Sequence, residues 1–317
     1  MLLRQPLLLL ARSDSARKLT ETLPPTQALV DRFVGGESVA DAVATARELS
    51  EAGLLVTIDY LGEDVEDLAT AEHNVGVYED LLAALSDAGL AETCEVSLKL
   101  SAIGQFLSEG GPDAQDGDQL ALENARRVCR AARNAGTTVT IDMEDHTTTD
   151  RTLKTVRDLR EDFPETGAVV QSQLKRTEKD LRRLVSSTSR VRLCKGAYAE
   201  PEGGIGHATG IDNDKAYVRC LKTLMKGDGH PMIATHDPRL ISIAQRLAQR
   251  EGRSRDSYEI QMLLGVRPDE QKRLAAEGQR VRVYVPFGEA WYGYLVRRLA
   301  ERPANLALFL RALVSRD

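Results

Sequence analysis

Two adjacent arginines, Arg297 and Arg298, stand near the end of the stretch 284–301, YVPFGEAWYGYLVRRLAE. Neighbouring guanidiniums repel each other unless an anion sits between them, and their planar donor forks grip a carboxylate or phosphate with two parallel hydrogen bonds. Glu301 follows Arg297 by four residues and Arg298 by three, the spacing that brings it alongside both on a helix. Tyr284, Trp291 and Tyr294 add aromatic surface around the pair, which suits a small organic anion better than a phosphate backbone. An apolar strand over 281–285 is expected to lead through a Pro286-Phe287-Gly288 turn into this helix. Taken alone, an Arg-Arg pair reads as a solvated basic face. Its place directly after a strand end, among aromatics, favours anion binding.

Such a pair needs a scaffold, and the chain repeats one pattern downstream of residue 50. Short, β-branched apolar runs alternate with stretches of helical period: 54–60 (LLVTIDY), 94–100 (CEVSLKL), 137–143 (TTVTIDM), 168–171 (AVVQ), 190–195 (RVRLCK), 232–236 (MIATH), 258–263 (YEIQML) and 281–285 (VRVYV). Runs of this length separated by helices imply parallel strands buried on both faces. Eight such units describe a closed (β/α)8 TIM-like barrel, an α/β fold that needs about 250 residues. Gly53, Gly89, Gly136 and Gly278 each stand just before a strand, where a helix stops. The rival, an open doubly wound sheet, calls for a Gly-x-Gly-x-x-Gly turn after its first strand, and Asp59-Tyr-Leu-Gly-Glu63 lacks it. Gly203-Gly-Ile-Gly206 follows the fifth strand and reads as a flexible lid loop. Residues 1–50 fall outside the repeat and are expected to form an N-terminal helical arm, leaving 51–317 as the catalytic barrel.

Barrel chemistry sits at the carboxyl ends of the strands. In order those ends deliver Asp59 with Glu63, Lys99, Asp142 with Glu144, Gln171, Arg192 with Lys195, Thr235 with His236, Gln261 and Tyr284. A metal hydrolase needs several histidine or carboxylate ligands. Of the five histidines only His236 is well placed, His73, His146, His207 and His230 being assigned to loops or helices, so no metal is expected. Lys99 or Lys195 could form a Schiff base in a lyase of the aldolase class, but such a lysine is normally desolvated with a lowered pKa. Here both sit among arginines and acids, which favours charged lysines that hold anions. A barrel that binds a small anion without turning it over is a third reading. Arg192, Lys195, Thr235, His236 and Gln261 together suit a large, polar, partly anionic cofactor, and Lys195-Gly196-Ala197 adds a turn where backbone can approach it closely.

Composition narrows the partners. A net charge of −6 argues against a nucleic-acid footprint. Cys94, Cys129, Cys194 and Cys220 show neither metal-ligand nor paired spacing, so reduced thiols and a cytoplasmic location are expected. The N-terminal MLLRQPLLLLA is interrupted by Arg4 and Pro6 and is too short for a secretory core. Contact with a membrane surface stays open.

Six motifs in order, Asp59-Tyr-Leu-Gly-Glu63, Ser97-Leu-Lys99-Leu-Ser101, Ile141-Asp142-Met143-Glu144, Arg192-Leu-Cys-Lys195-Gly-Ala-Tyr198, Thr235-His236 and Tyr294-Leu-Val-Arg297-Arg298, resemble those of the FAD-dependent proline dehydrogenases, in particular the short monofunctional bacterial type. The resemblance covers about residues 54–305. It implies a distorted (β/α)8 barrel with its final helix over the mouth, FAD as cofactor, and oxidation of L-proline to pyrroline-5-carboxylate with electrons passed to a quinone. It implies a separate pyrroline-5-carboxylate dehydrogenase downstream, since 317 residues leave no room for the second domain of the bifunctional relatives. Carried over residue by residue, Lys99, Arg297 and Arg298 would bind the proline carboxylate, and Tyr284, Tyr294 and Leu263 would pack on its ring. Glu63 would pair with Arg297 as a gate. Arg192 would lie near the flavin N5, with Asp142 holding it and Lys99. Met143, Gln171, Lys195, Gly196, Ala197, Thr235, His236, Gln261 and Glu301 would contact FAD.

Overall fold

A computed structural model of the chain describes residues 30–107, 116–186, 188–196, 198 and 204–295. The arm before residue 30, Ala197, and the final helix with Arg297, Arg298 and Glu301 lie outside the described residues.

Eight parallel strands close on themselves in sequence order, β8 pairing with β1. They are β1 Leu55–Tyr60, β2 Cys94–Leu98, β3 Val139–Ile141, β4 Gly167–Gln171, β5 Arg190–Cys194, β6 His230–Ala234, β7 Glu259–Leu263 and β8 Val281–Phe287. Helix α1, Val39–Glu51, precedes β1. Behind the strands follow α2 Leu68–Asp87, α3 Gly117–Ala135, α4 Thr149–Asp162, α5 Thr177–Leu184, α6 Gly210–Lys226, α7 Pro238–Arg250 and α8 Pro268–Ala276. This is the α/β TIM-like barrel expected from the eight runs. Asp67 caps α2, Thr209 caps α6 and Asp237 caps α7 ahead of Pro238, each through its side chain, so first-turn N–H groups find acceptors. Gly53, Gly89, Gly136 and Gly278 all take positive φ, a conformation other residues adopt only at a cost.

The side chains of each strand alternate between two environments. Val56 and Ile58, Val96 and Leu98, Val139 and Ile141, Val191 and Leu193, Ile260 and Met262, and Val281, Val283 and Val285 are buried in the apolar cluster shared with the helices. The register aligns the other face around the lumen, pairing Thr57 with Glu95, Ser97 with Thr140, Val169 with Arg192, Met232 with Glu259, and Gln261 with Arg282. That face is largely polar.

Four expectations need correction. Strand β3 holds three residues rather than the whole of 137–143. Strand β6 starts at His230, so this histidine opens a strand and is not in a loop or helix, while Thr235 and His236 fall just beyond the strand. Strand β8 runs on through Pro286 and Phe287, both paired with β1; Gly35 N–H donates to the Pro286 carbonyl at 2.8 Å, and the chain turns only at Gly288. The loop after β5 is no free lid over 204–207. Gly206 bridges Leu174, Lys175 N–H donates to the Ile205 carbonyl at 3.0 Å and His207 N–H to the Gln173 carbonyl at 2.8 Å.

Candidate active site

Asp142, the residue after β3, joins three other strands at the C-terminal mouth of the barrel. Its Oδ1 accepts from Arg192 Nη1 on β5 at 2.6 Å, and its Oδ2 accepts from the Tyr284 hydroxyl on β8 at 2.7 Å. Lys99, one residue past β2, lies 3.8 Å from the same Oδ2. The Lys99 ammonium makes its closest contact with Asp59 of β1 at 2.6 Å, and Glu63 stands 3.9 Å away. Arg192 also stacks over the Tyr284 ring, 5.3 Å from its centroid. Two cations and two aspartates thus form one buried array. Burial would lower the Lys99 pKa, but Asp59, Tyr284 and Asp142 raise it well above its ordinary value. Burial pushes the Asp59 carboxyl up to about 6 against the pull of Lys99, and the Asp142 carboxylate adds to the rise. Lys99 is therefore a charged clamp, and Lys195, 2.5 Å from Asp214, is paired as well. Lys99 thus does not offer the neutral amine of an aldolase.

Below this array lies a second charged layer. Glu95 on β2 lies among Arg190, Arg192 and Arg282, with Thr57 donating to it at 2.7 Å. Burial would raise its pKa, but Arg190 and Arg282 bring it down to about 2. Glu259 on β7 accepts from Arg282 Nε at 2.7 Å and from Gln261 at 2.6 Å. The Gln261 oxygen accepts from Arg192 Nε at 2.6 Å. Glu95, Glu259 and Arg282 are not reached from the sequence, although the alternation of Glu95, Ser97 and Lys99 along β2 and the residue after it carries the signal.

The β3–β5 side of the mouth has the residues to hold a cofactor. Gln171 donates to the Glu144 carbonyl at 2.5 Å, while its buried Oε1 has no hydrogen-bond partner among the described residues. Arg192 Nη2 is likewise buried without a hydrogen bond, 3.5 Å from Glu95. Gly196 turns the chain with φ +113, and a Cβ there would come within 2.8 Å of Gln171 Oε1. Buried polar groups are normally satisfied, so these atoms suit a large polar ligand laid across the mouth. His236 accepts from Leu263 N–H at Nε2, 2.9 Å away, which fixes its ring. Met143, just past β3, and Thr235, just past β6, are buried. Among the described residues no group of His, Cys, Asp and Glu could hold a metal ion.

Glu144, one position past Met143, is among the strand-end residues with no role assigned from the sequence. Its carboxylate accepts from Ser101 N–H at 3.1 Å and Ser101 Oγ at 2.5 Å, and burial raises its pKa to about 7 against those bonds. Ser101 Oγ in turn accepts from Asp64 N–H at 3.2 Å. This clasp holds the loop that carries Glu63.

Comparison with known proteins places this geometry in a family. A family model described as proline dehydrogenase matches residues 42–309. A proline dehydrogenase of Deinococcus radiodurans is 38% identical over 288 residues, covering 90% of each chain. The chain belongs to the proline dehydrogenase family. Proline dehydrogenase 1 of Bacillus subtilis is 34% identical over 315 residues, 99% of this chain and 100% of that one. The fold matches a proline utilization A structure from Bdellovibrio bacteriovorus with a TM-score of 0.80 at 24% identity, covering 92% of this chain and 34% of that chain. This chain thus spans about a third of that longer protein.

Within this family member, the described residues bring Asp59, Lys99, Asp142, Arg192, Gln261 and Tyr284 into direct contact. Leu263 ends β7 opposite Tyr284 in register, and Tyr294 is buried on the short helical segment 291–295. Trp291 is buried at the start of the same segment. Its indole N–H donates to Glu37 at 2.9 Å, tying the segment before α1 to the far side of β8.

Proposed function

We propose that this chain oxidises L-proline to pyrroline-5-carboxylate at the C-terminal mouth of its barrel, with FAD as the bound cofactor and a quinone as the final electron acceptor. The observation that carries the reading is the buried Asp142 hub, which fixes Lys99, Arg192 and Tyr284 around one point in a member of this family.

The reaction removes a hydride from the ring carbon next to nitrogen and a proton from the nitrogen, leaving a carbon–nitrogen double bond. FAD, when bound, supplies the acceptor for the two electrons. The chain's own residues supply position and charge. Lys99, with Arg297 and Arg298, binds the proline carboxylate, so the ring is presented in one orientation. Tyr284, Leu263 and Tyr294 give the apolar ring a surface. Arg192 places fixed positive charge where negative charge develops, an electrostatic contribution that needs no reorganisation during the step. Asp142 keeps both Arg192 and Lys99 charged and aimed. Glu63, 3.9 Å from Lys99, pairs with Arg297 to close the site over the substrate. Met143, Gln171, Lys195, Gly196, Ala197, Thr235, His236, Gln261 and Glu301 hold the cofactor.

The product's ring opens in water to an aldehyde, so a separate dehydrogenase acting on pyrroline-5-carboxylate is the natural partner. Among the described residues no helix is long and apolar enough to cross a membrane. A cytoplasmic protein that meets the inner face of the membrane to reach a quinone fits that observation. Incubation with L-proline and a dye acceptor, with the cyclic imine trapped by o-aminobenzaldehyde, tests the reading. Imine from L-proline and none from D-proline or N-methylproline is the expected result. Dye reduction without trapped imine contradicts it.

A further inference from the structure

Gln261 is assigned above to the cofactor, yet its amide is already committed at both ends. Its Nε2 donates to Glu259 at 2.6 Å and its Oε1 accepts from Arg192 Nε at 2.6 Å. Glu259 is fully buried on β7, two residues below Gln261 and on the same face of the strand. Its Oε1 also accepts from Arg282 Nε at 2.7 Å, and its Oε2 lies 3.6 Å from His230 Nε2. A carboxylate only accepts hydrogen bonds, and an amide can be turned either way. Glu259 therefore decides the matter: the Gln261 NH2 must face down toward it, which points the carbonyl up at Arg192. Reversed, the amide would set donor against donor at Arg192 Nε.

We infer that Glu259 is a positioning residue for the reaction, locking Gln261 so that Arg192 is held by its Nε and keeps its Nη1 on Asp142 and Ser97. Arg192 has no comparable choice at its other contacts. Its Nη1 goes to Asp142, just past β3, at 2.6 Å and to Ser97 on β2 at 3.1 Å. Releasing Nε lets the guanidinium pivot about those two bonds. The inference rests on the proposed proline–flavin chemistry for its consequence, while the lock itself concerns this chain alone.

Two variants separate the lock from simple stability. Replacing a buried ion pair by apolar residues of similar volume often leaves a protein as stable as before, whereas removing one partner is costly. The double variant Glu259→Met with Arg282→Met removes the lock and the pair together. Arg282→Met alone removes a partner of Glu259 but keeps Glu259 facing Gln261. In the double variant the two-electron reduction equilibrium of the bound flavin should move about tenfold toward the oxidised form, ~30 mV. Its kcat should fall about tenfold, the range of a misplaced electrostatic group, with KM for proline within about twofold. In the apoprotein, the Arg192 Nε–H resonance should be slow to exchange in wild type and in Arg282→Met, and fast in the double variant. Arg282→Met should lose thermal stability yet keep the wild-type potential. A double variant with wild-type potential and a slow Nε–H overturns the inference, as does an Arg282→Met protein whose potential shifts along with its stability. Each variant decides separately. Failure of the wild-type protein to bind flavin would sink the functional reading instead, and the exchange measurement would still judge the lock.

Discussion

Replacing Asp142 by Asn tests the hub directly, because it keeps the shape and removes the charge. The carboxylate accepts from Arg192 at one oxygen and from Tyr284 at the other, 2.6 and 2.7 Å away. An Asn amide has one oxygen, so one of these donors is left facing an NH2 group. The loss of one hydrogen bond to a charged group costs roughly 1.5–3 kcal/mol. Lys99, 3.8 Å from Asp142, also loses a countercharge, although Asp59 at 2.6 Å keeps it paired. A net loss of about 3 kcal/mol in transition-state stabilisation corresponds to about a hundredfold fall in kcat/KM. A second signature comes from Asp59. Its carboxyl is raised to about 6 by burial first and, beyond the opposing pull of Lys99, by the Asp142 charge. The pH profile of kcat/KM reports groups of the free enzyme, so wild type should show an acidic limb near that value. In Asp142→Asn the limb should move to lower pH. Steady-state proline oxidation with a dye acceptor across the acidic range, on protein shown to be folded by circular dichroism, provides both readouts. An Asn variant within about threefold of wild type, with its limb unmoved, refutes the assignment of Asp142 as the hub.

Glu144 makes a prediction about stability. Its folded pKa is raised from 4.5 to about 7, so between those values the folded chain binds more protons than the unfolded one. Stability from this group is present below pH 4.5 and is lost as pH rises toward 7. Glu144→Gln should flatten the decline of the thermal midpoint over that window, and an unchanged slope would contradict the assignment. Gly196→Ala forces an L side chain into φ +113 and brings a Cβ within 2.5 Å of Gln173 Cδ and 2.8 Å of Gln171 Oε1. Backbone strain of this kind costs about 1–3 kcal/mol, so flavin affinity measured by equilibrium dialysis should weaken about tenfold or more. Unaltered affinity would mean that this turn does not touch the cofactor.

The barrel was legible because its signal is local. Runs such as TTVTIDM and RVRLCK alternate with helical stretches closed by glycine, and closure into a ring follows from counting eight of them. The mouth residues were legible for the same reason: each is the last polar group of its strand. The charged layer beneath was not. Glu95, Glu259 and Arg282 lie on three different strands, and reading each run as apolar on both faces hid the polar alternation within it. Their pairing depends on strand register across a closed sheet, which no single segment encodes. The turn after β8 was misplaced because Pro286 reads as a breaker, whereas in the structure its carbonyl receives Gly35 N–H and Phe287 still pairs with Tyr60. His230 was passed over because a polar residue at a strand's first position looks the same as one in the preceding loop.

Anaerobic addition of L-proline to the purified, flavin-loaded protein probes the central claim most directly. The account predicts that the yellow colour bleaches in step with the amount of pyrroline-5-carboxylate formed, one equivalent for each flavin, and returns when a quinone is supplied. A protein that takes up no flavin, or whose flavin stays oxidised in excess proline, would contradict it.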